Sequence, residues 1–411
     1  MNIVIIGAGV AGLGIGWKLA LAGANVTILE RAQAGRGATT ASGGMIAAAA
    51  ELGHADTPEA AFAKRANDLW PGFVAQLEAQ SGISVDYRKS GSLMVALKTG
   101  GCPHAHGGAK PEADKGGHDH GGQPNPHAQG ADIAMLTAEQ ARAMEPMLSE
   151  DIAGALWAPH EAQINTHALV RALVTAFVKV GGRILANETA VRIEIEDGRA
   201  VGVRSPFTLH RADAYILAAG AWTSRVEGLP AEAVPPVVPI KGEIVVLTPP
   251  PGSALPKHVV WGNEIYVVPR AEQLLVGATM ERAGFDTSQS PEAYGWLLRQ
   301  SAGLMPALKG WEVAEHWASL RPATPDGMPI LGPTVVDGRY VASGQFRNGI
   351  LFAPAVAEAM SRLILERVME TPAFDPRRFD GAKPHPPGGV IETAHRAPGK
   401  DAGFREWHTG F

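Results

Sequence analysis

Arg321 stands directly before Pro322 in the stretch SLRPATPDGMPILG, residues 319–332. Proline pushes the residue ahead of it toward an extended backbone, and Pro325-Asp326-Gly327 supplies turn chemistry. The flanking apolar runs HWASL and MPILG read as buried strands. A guanidinium fixed at such a spot either pairs with an internal acid, Glu315 being one candidate, or receives an anionic ligand. Its planar fork of donors matches a carboxylate.

A second concentration of chemistry opens the chain. In NIVIIGAGVAGLGIGWKLALAGANVTILER, Gly7, Gly9 and Gly12 make a GxGxxG turn. The first glycine permits the turn, the second lets a pyrophosphate approach the backbone, and the third lets helix and strand pack closely. Val10 and Ala11 begin the helix, whose free N–H groups and positive dipole end face the phosphates. The second strand ends in Glu30, eighteen residues past Gly12 and followed by Arg31. A carboxylate there accepts from ribose hydroxyls and repels a 2′-phosphate. Strand, helix, strand and terminal acid in register point to a bound dinucleotide.

The next segment, RGATTASGGMIAAAAE, is built of small residues, with Arg36, Thr39, Ser42, Gly43 and Gly44 among them. Small side chains let the backbone run close beside a bulky ligand. A later apolar strand ends in Ala219-Gly220-Ala221, a second point of close approach. No second GxGxxG follows, so FAD alone is the economical reading of the cofactor.

These residues need elements to hold them. Thr57-Pro58-Glu59 has the form of a helix start, with Thr57 as N-cap. LTAEQARAMEPML, NTHALVRALVTAFVKVGG and SPEAYGWLLRQSAGLMPAL read as further helices. DYRKSGSLMVAL reads as a hairpin-like strand pair, and RILANETAVRIEIEDGRAVGVRS alternates like antiparallel strands with a turn at Asp197-Gly198. PVVPIKGEIVVLTP, EIYVVPR and QLLVGATM are expected in a different, antiparallel sheet. Residues 100–130 are dominated by Gly, Pro and His, and the tail from Gly381 is similar, so both are expected to be extended or disordered. The 100–130 insertion carries His104, His106, His118, His120 and His127 beside Cys102. HxH pairs can ligate zinc, nickel or copper, but structural sites keep tighter spacing, and no metal site is assigned.

The whole chain sets outer bounds. Its 411 residues, 45% apolar and 19% charged, suffice for two domains. A net charge of −5 and a pI near 6.3 argue against nucleic acid or an anionic membrane as partner. The N-terminus begins at once with strand-like sequence, and the glycine-broken stretch after it is no membrane span. A single cysteine and no CxxC fit a reducing, cytoplasmic setting.

GxGxxG with Glu30, SGGMIAAAAE, YVVPR, LLVGATM, SLRPATPDGMPILG and GQFRNGILFAPA together resemble the D-amino-acid oxidase family of FAD-dependent oxidoreductases, most of all its glycine-oxidase branch, which serves bacterial thiazole synthesis for thiamine. The likeness runs from residue 2 to about 365 and omits the His-rich insertion and the tail. It implies an α/β fold: a split Rossmann-like FAD domain at 1–85, 150–225 and 321–380, and an antiparallel-sheet substrate domain at 86–149 and 226–320.

The resemblance also implies roles. Arg321 grips the substrate carboxylate bidentately, and Tyr266 shares it from the roofing sheet. Met45 and Met280 lie near the reacting carbon, and Arg347 lies near flavin and substrate. Gln345, Phe346, Arg347, Asn348, Gly349, Ile350 and Leu351 lay backbone N–H groups and a helix start beside the flavin, while Val191 contacts the adenine through its backbone. The implied reaction is oxidative deamination of a small amino acid, chiefly glycine, by hydride transfer to the flavin, with oxygen reduced to peroxide. No acid–base side chain is required. The covalent-flavin branch uses a substrate-domain cysteine that this chain lacks, so noncovalent FAD is expected. A sarcosine oxidase, a D-amino-acid oxidase or a quinone-reducing dehydrogenase are alternatives, as is a flavin-containing metal binder using the His-rich insertion. A homo-oligomer stays open.

Overall fold

The computed structural model describes residues 1–52, 56–98, 133–230 and 234–379. The His-rich insertion, Cys102 and the tail from Gly381 lie outside them.

The strand Asn2–Ile6 is apolar on both sides because both sides are covered. Ile3 and Ile5 belong to one cluster, packed with the helices Val10–Leu21, Pro58–Ser81, Thr166–Lys179 and Gly349–Glu366. Val4 and Ile6 point the other way, into a cluster with Ile193 and Val203. Those two come from a small antiparallel sheet of Arg192–Glu196, Arg199–Arg204 and Leu209–His210.

Asn2–Ile6 is central in a six-stranded sheet. It pairs in parallel with Asn25–Glu30 on one side and Ala214–Leu217 on the other. Arg183–Ala186 extends the sheet beyond Asn25–Glu30, and Arg339–Ser343 extends it beyond Ala214–Leu217. Ile330–Pro333 closes the far edge antiparallel. Arg183–Ala186 therefore parts company with the alternating strands after it, which were expected to accompany it: its partner is the edge of the parallel sheet.

The second sheet has eight strands in the order Glu312–Ala323, Val238–Thr248, Gln273–Gly277, Ile265–Arg270, Val259–Gly262, Ser92–Leu97, Ile152–Ala158 and Ala134–Thr137. All neighbours are antiparallel except Val259–Gly262 with Ser92–Leu97. Two expected boundaries shift. Ile152–Ala158, placed by sequence with the dinucleotide domain, pairs with Ser92–Leu97 in the second sheet. The strand Glu312–Ala323 carries the second sheet through Arg321 and Pro322 without a break. The hairpin-like pair at residues 86–97 reduces to one strand, Ser92–Leu97, with Arg88 bridging to Gln163.

Local signals behave as their chemistry dictates. Thr57 accepts from the Ala60 N–H, Asn165 from Ala168 and Ser290 from Ala293, each capping a helix start. Thr137 and Gln140 form a reciprocal capping box on the helix Ala138–Met144. Among the described residues, no helix is long and apolar enough to cross a membrane, and no group of His, Cys, Asp or Glu side chains is arranged to hold a metal ion.

Candidate active site

One cavity of about 1190 Å³ lies between the two sheets, walled by the Gly7 turn at one end and by Arg321 at the other. At the first end the backbone itself is the wall. Gly7 sits at φ +105°, and a Cβ there would stand 2.5 Å from the Ala218 carbonyl oxygen. Gly7, Gly9, Val10 and Ala11 line the cavity; Gly12 does not. Gly12 instead lets helix and strand meet, since its Cβ would fall 2.0 Å from the Gly7 carbonyl oxygen. The helix Val10–Leu21 thus meets the cavity with its positive end. Thr39 Oγ1 accepts the Val10 N–H at 3.0 Å and ties the next segment to this turn.

Glu30 also faces the cavity, its two oxygens accepting from the Ala8 N–H at 2.8 Å and the Ala32 N–H at 3.0 Å. A carboxylate has about four acceptor sites, so capacity remains for ligand hydroxyls. The Arg31 guanidinium lies 3.6 Å from the centre of the Trp222 ring. Arg36, Thr39, Ser42, Gly43, Gly44 and Gly220 continue the wall. Val191 falls outside it: its N–H donates to the Arg204 carbonyl and its own carbonyl accepts from Glu227. With both backbone groups spent on strand pairing, the cavity wall there is Thr189 and Ala190.

The small-residue segment is stitched to the roof. Trp317 Nε1 donates to the Ala41 carbonyl at 3.0 Å, and Arg270 Nη2 to the Ser42 carbonyl at 3.0 Å. Arg270 closes the YVVPR stretch, but sequence alone assigns no role to it or to Trp317. Burial holds the Arg270 guanidinium down at about 10.

At the far end Arg321 emerges from its strand beside Ile240. The guanidinium occupies the space over Gly242, where a Cβ would come within 2.2 Å of Nη1. Nη1 donates to the Thr279 carbonyl at 3.0 Å. Its partner is thus a carbonyl and not Glu315. Burial lowers the Arg321 pKa, and the neighbouring Tyr266 works in the opposite direction. The Tyr266 hydroxyl hydrogen-bonds with Arg321, and burial raises its pKa. The Tyr266 ring lies across two glycines: a Cβ on Gly277 would meet it at 2.6 Å and one on Gly43 at 3.1 Å. Met45 and Met280 complete this end.

The segment Gln345 to Leu351 lines the cavity throughout, leading into the start of the helix Gly349–Glu366. The Phe346 N–H donates to the Pro322 carbonyl at 2.8 Å, fixing this segment to the Arg321 turn. Arg347 forms a 2.7 Å ion pair with Glu51, an acid the sequence did not single out. Around it, burial pushes Glu59 up to about 7 against a hydrogen bond from Asn348, and pushes Glu161 up to about 7 against hydrogen bonds from Ser92 and Ala50.

Residues 2–363 match the FAD-dependent oxidoreductase family. The chain belongs to that family, the D-amino-acid oxidase family. It is 34% identical over 369 residues to the bifunctional protein ThiO/ThiG of Nostoc sp., covering 89% of this chain and 53% of that protein, so the chain spans about half the length of that relative. To the glycine oxidase of Pseudomonas aeruginosa it is 30% identical over 383 residues, covering 92% and 98% of the two chains. The crystal structure of glycine oxidase from Geobacillus kaustophilus superposes with a TM-score of 0.79 at 28% identity, covering 92% of this chain and 98% of that one.

The family cofactor fits the residues present. The glycine cradle at Gly7 and the helix end suit a pyrophosphate, and Glu30 suits a ribose. Deeper in, Gln345 Nε2 and Asn348 Oδ1 are buried without a hydrogen-bond partner in the protein. Orphaned polar atoms on a cavity wall are what a polar ring system would satisfy. FAD would therefore be held by Gly7 to Ala11, Glu30, the segment 39–44 and the segment 345–351.

Proposed function

We propose that the protein oxidises a small amino acid at its α-carbon in an FAD-dependent reaction, with glycine preferred and glyoxylate, ammonia and hydrogen peroxide as products, supplying thiazole synthesis for thiamine. The observation that carries this reading is Arg321, a buried cation laid into the cavity whose protein hydrogen bonds go to the Thr279 carbonyl and the Tyr266 hydroxyl, with no carboxylate among them. Its remaining donors suit the carboxylate of an amino acid, and the Tyr266 hydroxyl beside them adds a second contact.

When bound, FAD supplies the two-electron acceptor, and oxygen restores it. The chain's own residues bind and orient. Arg321 fixes one end of a zwitterion, and Met45 and Met280 narrow the space around its carbon. The roof sheet keeps water out, so positioning supplies much of the rate. A small substrate fits the glycine-tight packing of Tyr266, which leaves little room for a side chain.

The test is a peroxide assay on purified protein over glycine, sarcosine and a panel of D-amino acids. Glycine should give the highest kcat/KM, and Arg321→Met should raise KM by about a hundredfold, the scale of a lost charge-assisted contact. Unchanged glycine kinetics in that variant would remove Arg321 from the role. The FAD is held without a covalent bond, so acid precipitation should leave the pellet colourless.

A further inference from the structure

On the cavity wall Arg321 has two charged side chains bearing on it, the Arg347 guanidinium and the Glu51 carboxylate. Each bears on the others, since Arg347 opposes and Glu51 favours the charge on Arg321. Glu51 and Arg347 stand 2.7 Å apart, with the Glu51 side chain only 8% exposed and that of Arg347 23%. Glu51 Oε2 nevertheless has no donor in hydrogen-bonding geometry. The pair is held by charge, not by a bidentate fork, and a carboxylate offering the fork could compete for Arg347.

Glu51 is itself held in place. It sits in the short helix Ala48–Leu52, where the preceding residue, Ala50, donates its N–H to Glu161 at 2.7 Å. Glu161 takes a further hydrogen bond from Ser92 on the second sheet. The charged and titratable groups facing Glu51 are therefore Arg347, Arg321, Tyr266, Glu59 and Glu161.

We propose that Glu51 restricts the site to substrates with a single carboxylate, by occupying Arg347 and leaving Arg321 as the cation offered to the ligand. Among Arg321, Arg347 and Glu51 the net charge is then one positive, matched by one carboxylate. A second carboxylate on the substrate would meet an occupied cation and a repelling acid. Specificity of this kind comes from an internal competitor and not from an added contact. The inference rests on the amino-acid oxidase reading above.

The test compares the holoenzyme with Glu51→Gln on glycine and on iminodiacetate, which is glycine carrying one extra carboxymethyl group on nitrogen. The variant should raise the ratio of kcat/KM for iminodiacetate over glycine by about tenfold or more, the scale of one freed charge pair. The gain should vanish in the double variant Glu51→Gln, Arg347→Met. An unchanged ratio in a variant that keeps its flavin absorbance and melting temperature overturns the proposal. Binding to the wild-type holoenzyme, read from the flavin spectrum, tests the same point without a variant. Malonate should bind about tenfold more weakly than glycolate, and equal affinity overturns the proposal. This arm holds even if no amino acid is turned over, an outcome that would sink the oxidase reading separately.

Discussion

The two ends of the cavity are built on different plans. The Gly7 end is walled mainly by backbone and small residues, with Glu30, Arg31 and Trp222 adding side chains. The Arg321 end is made of side chains from five separated stretches, and its glycines serve to make room for them. Gly242 gives space to a guanidinium, and Gly277 and Gly43 give space to the Tyr266 ring. At one end glycine lets backbone segments meet, Gly7 with Ala218 and Gly12 with Gly7; at the other it makes room for side chains.

That contrast can be broken by adding a single methyl group at each end. Gly12→Ala places a Cβ 2.0 Å from the Gly7 carbonyl oxygen, a backbone atom with nowhere to go. The expected outcome is no soluble flavin-bound protein, checked by absorbance of the purified variant. Gly242→Ala should instead leave FAD affinity near wild type while displacing Arg321, raising KM for glycine by about a hundredfold. Equal loss of flavin in both variants would erase the distinction.

A smaller effect sharpens the electrostatic side. Glu161 has its folded pKa raised to about 7 from the ordinary 4.5. Between those values the folded protein binds more protons than the unfolded one, so its stability falls as pH rises through that window. The cost from pH 5 to 7 is on the order of 2 kcal/mol. Glu161→Gln should flatten this part of the melting-temperature profile; an equally steep profile would place the titration elsewhere. Smallest of all, Thr39→Ala removes the acceptor for the Val10 N–H at the backbone-built end. It should cost about 1 kcal/mol in chemical denaturation, with KM for glycine unmoved.

The same difference explains what could be read from the sequence. GxGxxG, Glu30 and the strand–helix–strand pattern lie within thirty residues, so their spacing alone shows their geometry. Thr57 acts on an N–H group three residues away and was legible for the same reason. Arg321 was visible because Pro322 and the turn after it frame it, but its freedom from Glu315 depends on strand pairing. Glu51, Arg270 and Trp317 reach their partners across 296, 228 and 276 positions of chain; Glu51 and Arg270 close the SGGMIAAAAE and YVVPR stretches, but no local pattern announces their partners. Val191, expected beside the adenine, has its N–H and carbonyl bonded to Arg204 and Glu227, while Thr189 and Ala190 just before it line the cavity. Ile152–Ala158 was assigned to the wrong sheet because an apolar strand carries no mark of its partner.

The stitches from Trp317 and Arg270 to the Ala41 and Ser42 carbonyls bind the roof to the chain that runs beside the ligand. Lifting the roof would strip two acceptors of their donors, at about 1–3 kcal/mol for each one left dry. Hinged opening is therefore costly. Heating should release the yellow colour and unfold both sheets in one step, so that visible absorbance and tryptophan emission trace a single curve.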